Sequence, residues 1–245
     1  MRKLSRITEA EVIAEFLKGE LYHREYDPDR AYFEALVFDP HLSDPAENTL
    51  RRALLFRRRA TMWRELPQDT QWWEIELEPE DLERVNVFPR AQWRSIAQGN
   101  FRALHVAELI HRQFDPARPG VLAAKIHNLR TLMRNEGPRS TILLIGVDET
   151  LPATLLEGNH RFVASLLLPR EIMLRRLRVV CGFSPDMEKC CWYKTTAANL
   201  ARYIKNRIIY SWGRDPDVKR LLPQTARSRT VEDYGPAGVS TTKSE

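Results

Sequence analysis

The stretch "TLLEGNHRFVASLL", Thr154 to Leu167, changes its pattern at Gly158. Before the glycine lies a short apolar run of the kind found in buried strands, and after it apolar residues return at helical spacing. Glycine suits a sharp turn between the two because it has no Cβ atom. The stretch therefore predicts a strand, a tight turn and a helix, with Asn159 as the residue that caps the helix.

The flanking sequence extends this pattern in both directions. Alternating apolar and acidic residues after Gln71 predict a strand that Pro79 ends, and apolar residues near the N-terminus follow helical spacing, with Thr8 and Glu11 in a capping-box pattern. We predict strands at Trp72–Leu77, Thr141–Val147, Ala153–Leu156 and Leu177–Phe183, and helices at Pro45–Glu65 and Asn159–Leu168.

The sequence shows no internal repeat and no clear linker, which favours a single α+β domain over residues 1–222. Within it we expect a helical N-terminal region (1–69), a core with a small mixed sheet (72–183) and C-terminal helices (184–222). Residues 223–245 are rich in Pro, Ser, Thr, Gly and charge, a composition that predicts a disordered tail.

Composition limits the class of protein. The 245 residues are 43% apolar, without a run long enough to span a membrane, so we expect a soluble, cytoplasmic protein with no membrane partner. Cys181, Cys190 and Cys191 are odd in number and lack the spacing of a disulfide framework or zinc site. The net charge of +5 mildly favours anionic partners such as nucleotides or nucleic acid.

Two cationic side chains, His160 and Arg161, stand in the first turn of the predicted helix. A cation at a helix N-terminus destabilises the helix by about 0.3–1 kcal/mol, because the backbone already carries partial positive charge there. A bound anion would reverse that cost, since the amides, the imidazole and the guanidinium can all donate to phosphate oxygens. Alternatively, Arg161 pairs with a carboxylate and His160 is simply solvated.

The order of strand, turn, strand, "EGNHR", helix and strand resembles the ParB/sulfiredoxin superfamily, over roughly Trp72 to Phe183, with Trp72–Leu77 as the opening strand. The resemblance implies a ParB/sulfiredoxin-like fold that binds the phosphates of ATP or CTP. Carried over by position, it implies phosphate contacts from Gly158, Asn159, His160 and Arg161. It also implies a catalytic role for Glu157 and His160, with Glu157 as general base or Mg²⁺ ligand.

Two departures restrict the resemblance. Sulfiredoxins have a reactive cysteine within this box, where this chain has Asn159, so sulfinic acid repair is not expected. ParB partition proteins continue into a helix-turn-helix module, and Lys194 to Trp212 is too short for one.

The resemblance favours a nucleotide-binding enzyme that transfers a phosphoryl group from ATP to a small-molecule acceptor, or hydrolyses the nucleotide. The alternative is a DNA- or RNA-binding protein or nuclease that uses its basic helices. A third interpretation is a degenerate site that serves only as an interaction surface. The oligomeric state stays open.

Four further residues are candidates for substrate binding. Arg90 and Arg94 lie in "FPRAQWR", and Ser184 and Asp186 follow the last predicted strand. The competing interpretations are that Trp93 packs this rim into the domain and that Ser184 caps a local helix. The arginines of "RRALLFRRRATMWR", Arg51 to Arg64, ring their helix axis, which predicts a mainly structural helix.

Overall fold

The computed structural model describes residues 1–27, 30–89, 92–118, 120–135, 139–211 and 221–222. The strands are β1 (Arg2–Arg6), β2 (Gln71–Glu76), β3 (Val85–Asn86), β4 (Ser140–Gly146), β5 (Ala153–Glu157) and β6 (Leu177–Phe183). The helices are α1 (Glu9–Glu20), α2 (Arg30–Phe38), α3 (Pro45–Trp63), α4 (Pro79–Leu82), α5 (Gln92–Ala97), α6 (Ala103–Arg112), α7 (Val121–Arg134), α8 (Asn159–Ser165), α9 (Arg170–Arg176) and α10 (Ala197–Ser211). Two 3-10 helices lie at Arg24–Tyr26 and Pro185–Lys189.

The described strands form one mixed sheet in the order β1-β2-β6-β4-β5-β3. The pairs β4–β6 and β3–β5 are parallel, and the other neighbours are antiparallel. The α+β class and the four predicted strands are confirmed, each to within one residue at either end.

Helices cover the sheet on both faces, which makes three layers. Alternate residues of β4 face opposite sides, so Leu143 and Ile145 join the core beneath α1–α3, while Ile142 and Leu144 join the core beneath α6–α9. This double burial explains why "STILLIG" is almost continuously apolar.

The arginine-rich helix α3 is tied into the fold by its charges. Arg51 is fully buried and donates to the carbonyl oxygens of Leu36 (3.0 Å) and His41 (3.1 Å) and to the Glu47 carboxylate (2.8 Å). Other arginines of the helix bind acidic residues of α1: Arg52 binds Glu9, and both Arg58 and Arg59 bind Glu20. These contacts are those of a structural helix, as its charge pattern predicts.

Two expectations for the N-terminal half are wrong. Residues 1–69 are not only helical, because β1 pairs with β2, and the strand that contains Trp72 is therefore the second of the sheet. The segment "RKLSR" has one apolar residue, Leu4, so no pattern marks it as a strand. Its charges are typical of an edge strand, which needs only one neighbour to pair its backbone.

The C-terminal region is described as far as α10, and again at residues 221–222, where Leu222 is buried. The predicted tail, 223–245, and part of the predicted C-terminal helices lie outside the described residues. Among the helices that the structure describes, none has both the length and the apolar character to cross a membrane.

Candidate functional site

Gly158 makes the predicted turn between β5 and α8. Its φ of +87° lies in the left-handed region, where residues with a Cβ atom are strained. A Cβ atom added here would also stand 2.6 Å from Cδ1 of Ile142 on the neighbouring strand β4. Backbone conformation and close packing therefore both require glycine at this position.

Asn159 does not cap its own helix, which begins at Asn159 itself. Its side-chain oxygen instead accepts a hydrogen bond from the backbone amide of Phe88, at 2.8 Å. The side chain of Asn159 thus fixes the segment 86–89, which continues from β3. This corrects the expectation of an N-cap, because the side chain reaches a partner 71 positions away in the sequence.

His160 is partly buried between two residues of α5. Its ring centroid lies 5.0 Å from that of Trp93, and its Nε2 lies 2.6 Å from Nε2 of Gln92. Burial lowers the pKa of His160 to about 4, with further lowering from the charges of Lys125 and Arg161. The imidazole is therefore neutral at pH 7, and only one of the two residues is a cation.

Arg161 turns back toward the strand that precedes its helix. Its Nη2 lies 3.3 Å from Oε1 of Glu157, and both side chains are 26% exposed. Both also lie against Gly19 of α1, where an added Cβ atom would stand 3.2 Å from Oε1 of Glu157. The guanidinium thus has a carboxylate partner within the protein, as one of the two sequence interpretations expects.

Glu157 belongs to a larger cluster of charges. Burial raises its pKa above the ordinary value, Arg161 offsets part of that rise, and Glu20 and Arg59 also influence it. The Glu20 carboxylate is itself bound by Arg58 and Arg59 of α3. The cluster joins the turn at Gly158 to helices α1 and α3 of the N-terminal region.

The surroundings of Glu157 do not favour Mg²⁺. The cation is usually held by one or two carboxylates together with waters and substrate phosphates, whereas the Glu157 carboxylate faces a guanidinium and the nearby Glu20 carboxylate is bound by two more. In the part of the chain that the structure describes, no group of three or more His, Cys, Asp or Glu residues could hold a metal ion.

Ser184 and Asp186 lie far from the turn at Gly158, contrary to expectation. Gly158 packs against Ile142, which pairs with Val179 in β6, and Ser184 follows five positions later, about 16 Å along the strand direction. Ser184 donates to Asp69 (2.7 Å) and accepts from the backbone amide of Asp186 (3.1 Å). The local-capping interpretation is thus the correct one.

Of the two arginines in "FPRAQWR", the structure describes only Arg94. Arg90 lies outside the described residues, and Arg94 is exposed on α5. Between them in the sequence, Trp93 is 4% exposed and packs into the core, as the competing interpretation expects. Arg94 borders a cleft that the sequence did not predict.

This cleft has a volume of about 580 Å³. It lies at the β3–β5 side of the sheet and is lined by Asn86, Val87, Pro89, Arg94, Gly99, Asn100, Phe101, Arg102, Thr154, Tyr193, Lys194 and Thr195. Its wall at 86–89 is the segment that Asn159 holds through Phe88. None of the four Gly-Asn-His-Arg residues lines the cleft itself; Asn159 is linked to it indirectly, through the backbone of Phe88.

The lining of the cleft is electropositive. Arg94, Arg102 and Lys194 contribute three cations, and none of the described lining residues is Asp or Glu. Arg94 and Arg102 make no ion pair with any described residue, and Lys194 faces Glu188 at 3.8 Å with both side chains more than half exposed. Salt bridges within the protein therefore leave most of this charge available.

Helix α6 adds partial charge of the same sign. Its N-cap residue is Arg102, whose side chain makes no capping hydrogen bond, and residues 99–102 line the cleft. The N-cap residue of α6 thus lines the cleft, and a helix N-terminus carries partial positive charge that an anion stabilises. The sequence signal was "GNFRALHVAEL", Gly99 to Leu109, where a cation precedes an amphipathic helix.

No protein-family model matches the chain, and neither curated proteins nor solved structures give a match. The resemblance to the ParB/sulfiredoxin superfamily stays a prediction.

Proposed function

We propose that the protein binds a nucleotide, or a related phosphate-bearing small molecule, in the basic cleft beside the Gly-Asn-His-Arg turn. One observation carries the proposal: three cations and the N-terminus of α6 converge on a cleft whose described lining has no carboxylate. Phosphate groups are the ligands that such a set of donors favours.

The dimensions and remaining residues of the cleft support the same ligand class. Its 580 Å³ falls within the range of about 300–1,000 Å³ common for small-molecule sites. Phe101 and Tyr193 offer aromatic surface for a base, and Asn86, Asn100 and Thr195 offer side-chain donors and acceptors. ATP and CTP are both candidates, since these groups can recognise either base.

The residues have separable roles in this proposal. Arg94, Arg102 and Lys194 neutralise phosphate charge, and the amides at the start of α6 orient one phosphate. Asn159 is a positioning residue, because it holds the 86–89 wall through the backbone of Phe88. Phosphoryl transfer to an acceptor, or hydrolysis, would need a base from outside the described lining residues, so catalysis stays a prediction.

The nucleic-acid alternative has less support. It relied on the arginines of α3 and on basic residues of the C-terminal helix region, Lys194, Arg202, Lys205 and Arg207. Four of the α3 arginines are engaged: Arg51 is buried and hydrogen-bonded, while Arg52, Arg58 and Arg59 bind acidic residues of α1. A helix that uses its cations in this way offers few of them to a phosphate backbone.

The proposal is tested by calorimetric titration of ATP, CTP and tripolyphosphate into the wild-type protein and the variants Arg94→Gln and Arg102→Gln. Each variant should weaken binding about tenfold or more, since hydrogen bonds to charged groups contribute roughly 1.5–3 kcal/mol. Arg112→Gln is the matched control, because Arg112 lies at the other end of α6 and pairs with Glu108 on the surface.

Two results would contradict the proposal. One is the absence of binding for all three ligands at millimolar concentration. The other is binding that Arg102→Gln leaves intact and Arg161→Ala abolishes, which would place the phosphate at the Gly-Asn-His-Arg turn instead of the cleft.

A further inference from the structure

A second pocket lies beneath helices α8 and α9. It has a volume of about 210 Å³ and is bordered by strands β1, β2 and β6 and by helices α8 and α9. Its apolar lining includes Leu4, Ile75, Phe162, Met173, Leu174 and Val179. The pocket is separate from the basic cleft, since the two share no lining residue.

The interior of the pocket suits an aliphatic group. Ile75, Met173 and Val179 are each less than 9% exposed and Phe162 is fully buried, so the deep walls are apolar. The mouth is formed by side chains that reach solvent: Leu4 is 49% exposed and Leu174 is 36% exposed. Cavities of about 150 Å³ with such walls bind benzene, so this larger pocket has room for a longer apolar group.

One cation stands at this pocket with a fixed orientation. The Nε of Arg139 donates to the carbonyl oxygen of Leu177 at 2.8 Å, which holds the guanidinium at the lining. Its two terminal nitrogens have no hydrogen bond or ion pair with described residues. The remaining charged group of the lining, Glu76, is already paired with Arg2. The net charge offered to a ligand is therefore positive.

We propose that this pocket binds a short aliphatic carboxylate, with its chain between the sheet and α9 and its carboxylate on the free edge of the Arg139 guanidinium. Planar guanidinium groups bind carboxylates through paired hydrogen bonds, and the apolar walls favour a chain over a compact polar ligand. A chain of about eight carbon atoms matches the volume, judged from the benzene-sized cavities.

The probes are octanoate and octanol, titrated by calorimetry into the full-length protein. Octanoate should bind the wild type more tightly than octanol. Arg139→Gln should weaken octanoate about tenfold or more and leave octanol nearly unchanged, because only octanoate uses the guanidinium. Leu174→Trp should reduce the binding of both, since it fills the mouth with a larger side chain without entering the buried core.

Arg175→Gln is the matched control, because Arg175 lies on the same helix, α9, and does not line the pocket. Melting temperatures of all variants establish that they are folded. The proposal is overturned if octanoate does not bind at millimolar concentration. It is also overturned if Leu174→Trp leaves octanoate binding unchanged, or if Arg139→Gln affects octanoate no more than the control does.

Discussion

Lowering the pH from 7 to 4 should destabilise the folded protein through His160. In the folded state burial lowers the pKa of this side chain from 6.5 to about 4, so it binds fewer protons than in the unfolded chain. The contribution of the neutral His160 side chain to the free energy of unfolding is fully present above pH 6.5. It is lost as the pH falls toward 4, because protonation then favours the unfolded chain. At about 1.4 kcal/mol per pKa unit, the loss is about 3 kcal/mol.

The assay is urea unfolding at several pH values, for the wild type and for His160→Gln. The comparison is needed because burial also lowers the pKa values of His23 and His127, which destabilise the fold in the same direction on acidification. Subtracting the two profiles isolates His160. The stability difference between the proteins should shift by about 3 kcal/mol across this range, whatever its value at pH 7.

An NMR titration of the His160 ring gives a direct check. A pKa of 6 or above in the ligand-free protein would refute the argument, since it would mean that contact with Trp93 does not exclude water from the imidazole. The same titration with ATP tests the phosphate role implied by the resemblance. If His160 donates to phosphate, the nucleotide must raise its pKa, whereas binding in the basic cleft leaves the pKa low.

Two further predictions concern stability. Gly158→Ala should lower the free energy of unfolding by about 1–3 kcal/mol, because it adds a clash with Ile142 to the backbone strain. Gly99 is the control: it has a similar φ of +89° but no atom within 4 Å of an added Cβ, so Gly99→Ala should show the strain alone. Equal losses of stability in urea unfolding would contradict the clash. Arg51→Met should cost about 3 kcal/mol, because it removes the hydrogen bonds and the ion pair that the buried guanidinium makes with Leu36 and Glu47. Arg52→Met, on the exposed side, should cost under about 1 kcal/mol. Comparable melting temperatures would show that α3 does not depend on the buried guanidinium.

Local patterns were enough to predict much of the central sheet. A glycine between a strand-like run and a helical run implied a sharp turn, because few other residues tolerate that backbone conformation. Apolar runs identified β4, β5 and β6, which are buried on one or both faces. The strand β1 escaped prediction because an edge strand is defined by its pairing with β2, and its own residues are mostly charged.

The candidate site depended on contacts between distant parts of the chain. The sequence presented His160 and Arg161 as two cations, but charge depends on environment: burial beside Trp93 makes the imidazole neutral, and folding brings Arg161 to Glu157. Conversely, Arg102 and Lys194 are 92 positions apart, and only the sheet topology places them on one cleft. The sequence by itself determined the turn at Gly158, because backbone conformation is a local property. Only the tertiary structure decided which cations remain available to a ligand, because ion pairing and burial depend on groups that folding brings together.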